Sequence, residues 1–128
     1  MIVQVRSAQP TADLNRVKVF YGKTLGLREI GAFDAHEGYS GVMYAFPDAG
    51  FHIEFTQEER GRPLPDWSAE SLLVLYVPDQ LHYHEMVTSL DNAGAERVPS
   101  QNPYWDRRGA TFLDPDGRRV VIFQSDGL

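Results

Sequence analysis

Residues 41–50, GVMYAFPDAG, and residues 109–117, GATFLDPDG, repeat one pattern: a short apolar strand, a Pro-Asp turn and a glycine, with a second apolar strand following. Proline presets the turn dihedral, aspartate bonds to nearby backbone, and glycine accepts positive φ. Both stretches therefore read as β-hairpins. Working outward, residues 3–9 and 71–77 (SLLVLYV in the second copy) read as strands, and Asp13 and Asp79 sit where helix N-caps belong. The helix after Asp13 carries Leu14, Val17, Phe20, Tyr21 and Leu25 at roughly helical spacing and stops at Gly26. The one after Asp79 carries Tyr83, Met86, Val87 and Leu90 and stops at Gly94. Asp13 and Asp79, Phe20 and Met86, and Gly41 and Gly109 lie 66, 66 and 68 residues apart. A near-constant offset of this kind marks an internal duplication.

Each half thus reads strand, helix, strand, strand, strand, which predicts an α+β chain of two βαβββ modules. Module one spans 1–56 and module two 69–128, within one domain of 1–128. The charge and prolines of residues 57–68, QEERGRPLPDWS, mark a linker. A four-stranded sheet covered by its helix on one face must meet a second sheet, or enclose a cavity, on the other.

Composition narrows the function classes. At 128 residues, 42% hydrophobic and 23% charged, the chain is long enough and apolar enough for a real core. No apolar run approaches a membrane span and the N-terminus lacks a signal pattern, so the cytoplasm is the expected address and no membrane partner is expected. Cysteine is absent, which leaves only His, Asp, Glu and oxygen groups as metal ligands. The formal charge of -6 argues against nucleic acid, whose phosphates call for a basic face.

The segments PTADLNRVKVFYGKTLGL, GFHIEF, NPYW and DPDGRRVVIF, in that order, resemble the glyoxalase and bleomycin-resistance branch of the vicinal oxygen chelate superfamily over nearly the whole chain. The resemblance implies paired βαβββ modules forming a curved, cupped sheet, a dimer as the usual assembly, and a site inside the cup. It also implies one metal ligand on the first and one on the last strand of each module. Carried over one at a time, those positions fall on Arg6 and Glu54 in module one and on Leu72 and Val121 in module two. Glu54 keeps a carboxylate. Arginine offers no lone pair, and Leu and Val have no donor atom. The expectation is therefore no metal, no cofactor and no catalytic residue. Because relatives place the two ligands of a module on one ion, Arg6 and Glu54 should converge, and an ion pair between them is expected.

Parity supports the placement of Glu54. In FHIEF, Phe51, Ile53 and Phe55 form one apolar face, so His52 and Glu54 point to the other. A His52–Glu54 pair is too small a ligand set by itself. His82 and His84, two apart on a helix, face different ways. The DPDG turn lacks the spaced oxygens of a calcium loop. Tyr44, Phe46 and Tyr76 fall on strands, Tyr104 and Trp105 follow Asn102-Pro103 in a loop, and Phe123 shares the parity of Val121. An apolar cup with few polar groups suits a small molecule. The expected ligand-binding set is Arg6, Tyr44, His52, Glu54, Leu72, Tyr76, Tyr104, Trp105, Val121 and Phe123, with the even-numbered strand residues of module one lining the cavity. Trp67, in the linker, reads as a packing residue, while Trp105 divides between packing and stacking on a ligand.

The sequence alone thus points to a metal-free protein enclosing an apolar or aromatic small molecule, with antibiotic sequestration one form of that function. The alternatives are a metal-dependent lyase, isomerase or dioxygenase using other ligands, and a structural or partner-binding homodimer.

Overall fold

The computed structural model describes residues 1–46 and 50–128 and divides into two compact units, Met1–Pro65 and Asp66–Leu128. In the first unit, β1 (Val5–Pro10) leads to helix α1 (Leu14–Val17), which continues as a π-helical stretch, Lys18–Thr24, and then to β2 (Arg28–His36), β3 (Tyr39–Ala45) and β4 (Phe51–Glu58). The second unit holds β5 (Leu72–Tyr76), α2 (Gln80–Asn92), β6 (Arg97–Val98), β7 (Gly109–Leu113) and β8 (Arg119–Phe123), with a 3₁₀ turn at Pro103–Asp106. Each unit is one βαβββ module and the chain is α+β. The sheet orders are β1-β4-β3-β2 and β5-β8-β7-β6, with the first and last strands of each module paired in parallel. The last strand of module one runs through Glu58, two residues beyond the expected boundary. The first Pro-Asp turn, at Pro47 and Asp48, lies outside the described residues.

Both caps follow the sequence pattern. Asp13 accepts from the Asn15 and Arg16 amides, and Asp79 from that of His82. Gly26 and Gly94 end the helices at φ +72° and +79°, where a Cβ would be strained. The first helix is not regular throughout: the Leu25 amide reaches back to the Phe20 carbonyl. That wider winding brings the consecutive residues Phe20 and Tyr21 both into the core, 7% and 1% exposed. Tyr21 meets Phe55 at 4.5 Å between centroids, and Val17, Val42, Tyr44 and Ile53 fill the rest of this layer. In module two, Leu90 of α2, Phe112, Val120 and Ile122 are all fully buried.

The second hairpin closes through the side chains of its own turn. Asp114 Oδ1 accepts from the Asp116 and Arg118 amides, and Arg118 Nη1 lies 3.1 Å from both Asp114 and Asp116 carboxylates. The Arg118 guanidinium stacks 4.5 Å over the Trp67 ring, whose Nε1–H donates to the Asp116 carbonyl. Trp67 therefore anchors the linker to this turn.

Candidate ligand-binding faces

Strand register decides which side chains share a face. In module one, Arg6 lies opposite His52 and Ala8 opposite Glu54 across the parallel β1–β4 pair, while Met43 lies opposite Glu54 across the antiparallel β3–β4 pair. Directly paired residues point the same way. Arg6, Met43, His52 and Glu54 therefore occupy the face away from the helix. Arg6 holds them together: Nε donates to His52 Nε2 at 2.7 Å, Nη1 to Glu54 Oε2 at 3.4 Å, and Nη2 to Met43 Sδ at 3.3 Å. His52 is 4% exposed. Its Nε2 accepts from Arg6, so the proton of the neutral ring sits on Nδ1, a buried atom with no hydrogen-bond partner. The ion pair is half open to solvent, with the Arg6 side chain 47% and the Glu54 side chain 13% exposed.

Tyr44 belongs to the other face. The β3–β4 register sets Met43 against Glu54 and Tyr44 against Ile53, so an even number on β4 faces with an odd number on β3. The expectation that even-numbered residues of both strands share the cup is thereby corrected. Tyr44 is 2% exposed and packs beneath the helix, where a Cβ on Gly22 would come within 3.0 Å of its hydroxyl. That burial raises the Tyr44 pKa above 10.0, and the nearby Glu29 charge adds to the rise. Met43 takes the place sequence reasoning gave to Tyr44; only the register, set by the hairpin, could have found it.

In module two the parallel register pairs Leu72 with Arg119, Val74 with Val121 and Tyr76 with Phe123, which puts all six on one face. Thr111 joins them opposite Val121, and its hydroxyl meets that of Ser100 at 2.8 Å. Val121 and Phe123 are buried, at 0% and 4% exposure. Around Phe123 stands an aromatic platform. Tyr104 stacks on it at 5.5 Å and 21°, Trp105 meets it edge-on at 5.2 Å, and Tyr76 at 6.0 Å. Gly109 makes the platform possible, because a Cβ there would come within 2.9 Å of the Phe123 ring and closer still to the Trp105 carbonyl. The 3₁₀ turn is started by Asn102, whose side chain accepts from the Tyr104 amide, and this lifts Tyr104 and Trp105 beside β8. Arg119 went unread in the sequence although it shares the parity of Val121; it repeats in module two the position of His52 and donates to the Pro99 carbonyl at 3.0 Å.

The donors of module one do not fit a divalent ion. Arg6 puts a fixed cation beside His52 and Glu54, takes the His52 Nε2 lone pair and contacts one Glu54 oxygen, Oε2. The equivalent positions in module two are the hydrocarbons of Leu72 and Val121. Among the described residues no three His, Cys, Asp or Glu side chains gather as a metal cluster.

The two βαβββ modules give the chain the fold of the glyoxalase, bleomycin-resistance and fosfomycin-resistance proteins. The architecture matches FosX, a fosfomycin resistance protein from Mesorhizobium loti, with a TM-score of 0.75 at 15% identity over 98% of this chain and 94% of that one. It also matches TnmS3, an antibiotic binding protein from Streptomyces sp. CB03234, with a TM-score of 0.69 at 20% identity over 98% of both chains. Within this class, residues 5–56 match the YycE-like N-terminal domain and residues 70–124 the YycE-like C-terminal domain, so the chain belongs to the YycE-like family. It is 43% identical over 125 residues to the uncharacterised protein YycE of Bacillus subtilis (strain 168), covering 98% of this chain and 90% of that one. A crystal structure of YycE from Bacillus subtilis superposes with a TM-score of 0.93, over 98% of this chain and 92% of that one.

Proposed function

We propose that this YycE-like chain binds an apolar or aromatic small molecule without a metal ion, and that it acts by holding the molecule rather than transforming it. The observation that carries the reading is the platform around Phe123. Tyr104 and Tyr76 leave 47% and 44% of their surface open while their rings are already ordered against a buried aromatic partner. A planar ligand can stack there with little further loss of side-chain freedom, and aromatic pairs contribute about 0.5–1.5 kcal/mol beyond burial. The buried Val121 and the half-buried Val74 continue the same face. TnmS3, which shares the fold, is an antibiotic binding protein, and sequestration of this kind needs only affinity and concentration.

The reading includes a cytoplasmic homodimer as its setting. Among the described residues no helix is long and apolar enough to cross a membrane. The experiment is a thermal-shift screen of planar aromatic compounds, followed by calorimetry on the hits. Hits should raise the melting temperature by linkage, and Tyr104→Ala or Trp105→Ala should weaken them. A screen in which the variants bind as well as the parent refutes the platform as the site.

A further inference from the structure

A second, independent surface of module two lies on the opposite side of its sheet. Arg97 is paired with Phe112 in the β6–β7 register and its guanidinium sits 5.8 Å over the Phe112 ring, on the face away from Thr111, Val121 and Phe123. An open groove of about 360 Å³ runs there between α2 and the strand ends, and Tyr83, His84, Arg97, Arg107, Arg108 and Gln124 are among the residues that line it. Asp106 is the one carboxylate in its wall, and both of its oxygens already accept from the Ser100 amide, at 3.1 and 3.2 Å. None of the three arginines forms an ion pair with a carboxylate among the described residues.

We propose that this groove binds a small phosphate ester or pyrophosphate carrying two or more negative charges. Three guanidiniums gathered in one groove, on a chain of formal charge -6, repel one another, and a multivalent anion relieves that repulsion. Guanidinium matches phosphate oxygens with paired, charge-assisted hydrogen bonds. Two of the three are already positioned. Arg97 rests on the Phe112 ring. Arg108 donates to Gln124 Oε1 at 3.0 Å, and Gln124 is fixed by its own bond to the Pro78 carbonyl at 2.7 Å. Burial raises the pKa of Tyr83, against an opposing effect of Arg97, so its hydroxyl stays a donor beside the cations. The Tyr83 and His84 rings, edge-to-face at 5.4 Å, wall the groove on the helix side.

The test is a calorimetric titration with inorganic pyrophosphate at fixed ionic strength, with the Arg97 and Arg108 Nε–H resonances followed in parallel. Saturable one-to-one binding is expected, with both resonances moving and sodium chloride of equal ionic strength unable to substitute. Arg97→Gln combined with Arg108→Gln should weaken binding by at least roughly tenfold while the melting temperature holds, because both residues are exposed. A linear, unsaturable response, or equal binding by the double variant, overturns the proposal. So does binding confined to vesicles of anionic phospholipid over phosphatidylcholine, since that would assign the groove to a membrane surface. The platform around Phe123 is untouched by these variants, so either site can fail without the other.

Discussion

Arg6 and His52 face each other across the parallel β1–β4 pair, and the Arg6 Nε–H bond to His52 Nε2, at 2.7 Å, is shorter than the 3.4 Å contact from Arg6 to Glu54. The Arg6 cation is thus held first by the His52 imidazole and only second by the Glu54 carboxylate.

That ordering predicts unequal couplings. The Arg6–Glu54 pair is partly solvated, so its double-mutant cycle with leucine substitutions should give about 0.2–1 kcal/mol, the range for open ion pairs. This is well below the roughly 3–5 kcal/mol of a buried pair broken from one side. The Arg6–His52 cycle should give more, about 1–3 kcal/mol, because Arg6→Leu leaves a buried acceptor unmet. Denaturant titration of the two cycles reads both values, and equal or reversed couplings contradict the ordering.

Tyr44 makes the fold sensitive to alkali. Burial raises its pKa in the folded state above the 10.0 of the unfolded chain. As pH rises past about 10 the unfolded state loses its proton first, so stability that is present below that pH falls through the interval up to the folded value. Tyr44→Phe should flatten this part of the stability–pH curve. An unchanged slope in the variant would assign the alkaline loss to another group.

The duplication, the two caps, the second hairpin and the face of His52 and Glu54 were legible in the sequence, because each rests on local chemistry or on alternation within one strand. Arg6, Leu72 and Val121 were placed by the family resemblance instead, and Phe123 by sharing the parity of Val121. What was not legible depends on register between strands. Tyr44 and Met43 exchange faces because the β3–β4 register pairs odd with even numbers, and no single strand carries that information. The π-helical stretch was hidden for a similar reason, since Leu14, Val17, Tyr21 and Leu25 suit a regular helix and only packing against Tyr44 and Phe55 selects the wider one.

The linker anchor is testable separately. Trp67→Ala removes the stack under Arg118 and the bond to the Asp116 carbonyl, which should cost about 1–3 kcal/mol. Trp67→Phe should restore the part due to stacking. Chemical denaturation of the two variants checks the split, and a Trp67→Ala protein as stable as the parent would remove the anchor from the account.

Metal content offers a further check. With Arg6 bonded to both His52 and Glu54, protein purified without chelator should carry no stoichiometric transition metal, and added chelator should leave the melting temperature unchanged. Near-equimolar zinc, manganese, nickel or iron in elemental analysis would restore the enzymatic alternative.

The most direct test of metal-free binding is calorimetry of chelator-treated protein with a planar aromatic compound from the thermal-shift screen, run beside Tyr104→Ala. The account predicts saturable binding by the treated parent and a loss of about 0.5–1.5 kcal/mol of affinity in the variant, the worth of one aromatic contact. Binding that vanishes on chelation and returns with added metal, or that is indifferent to Tyr104→Ala, would contradict it.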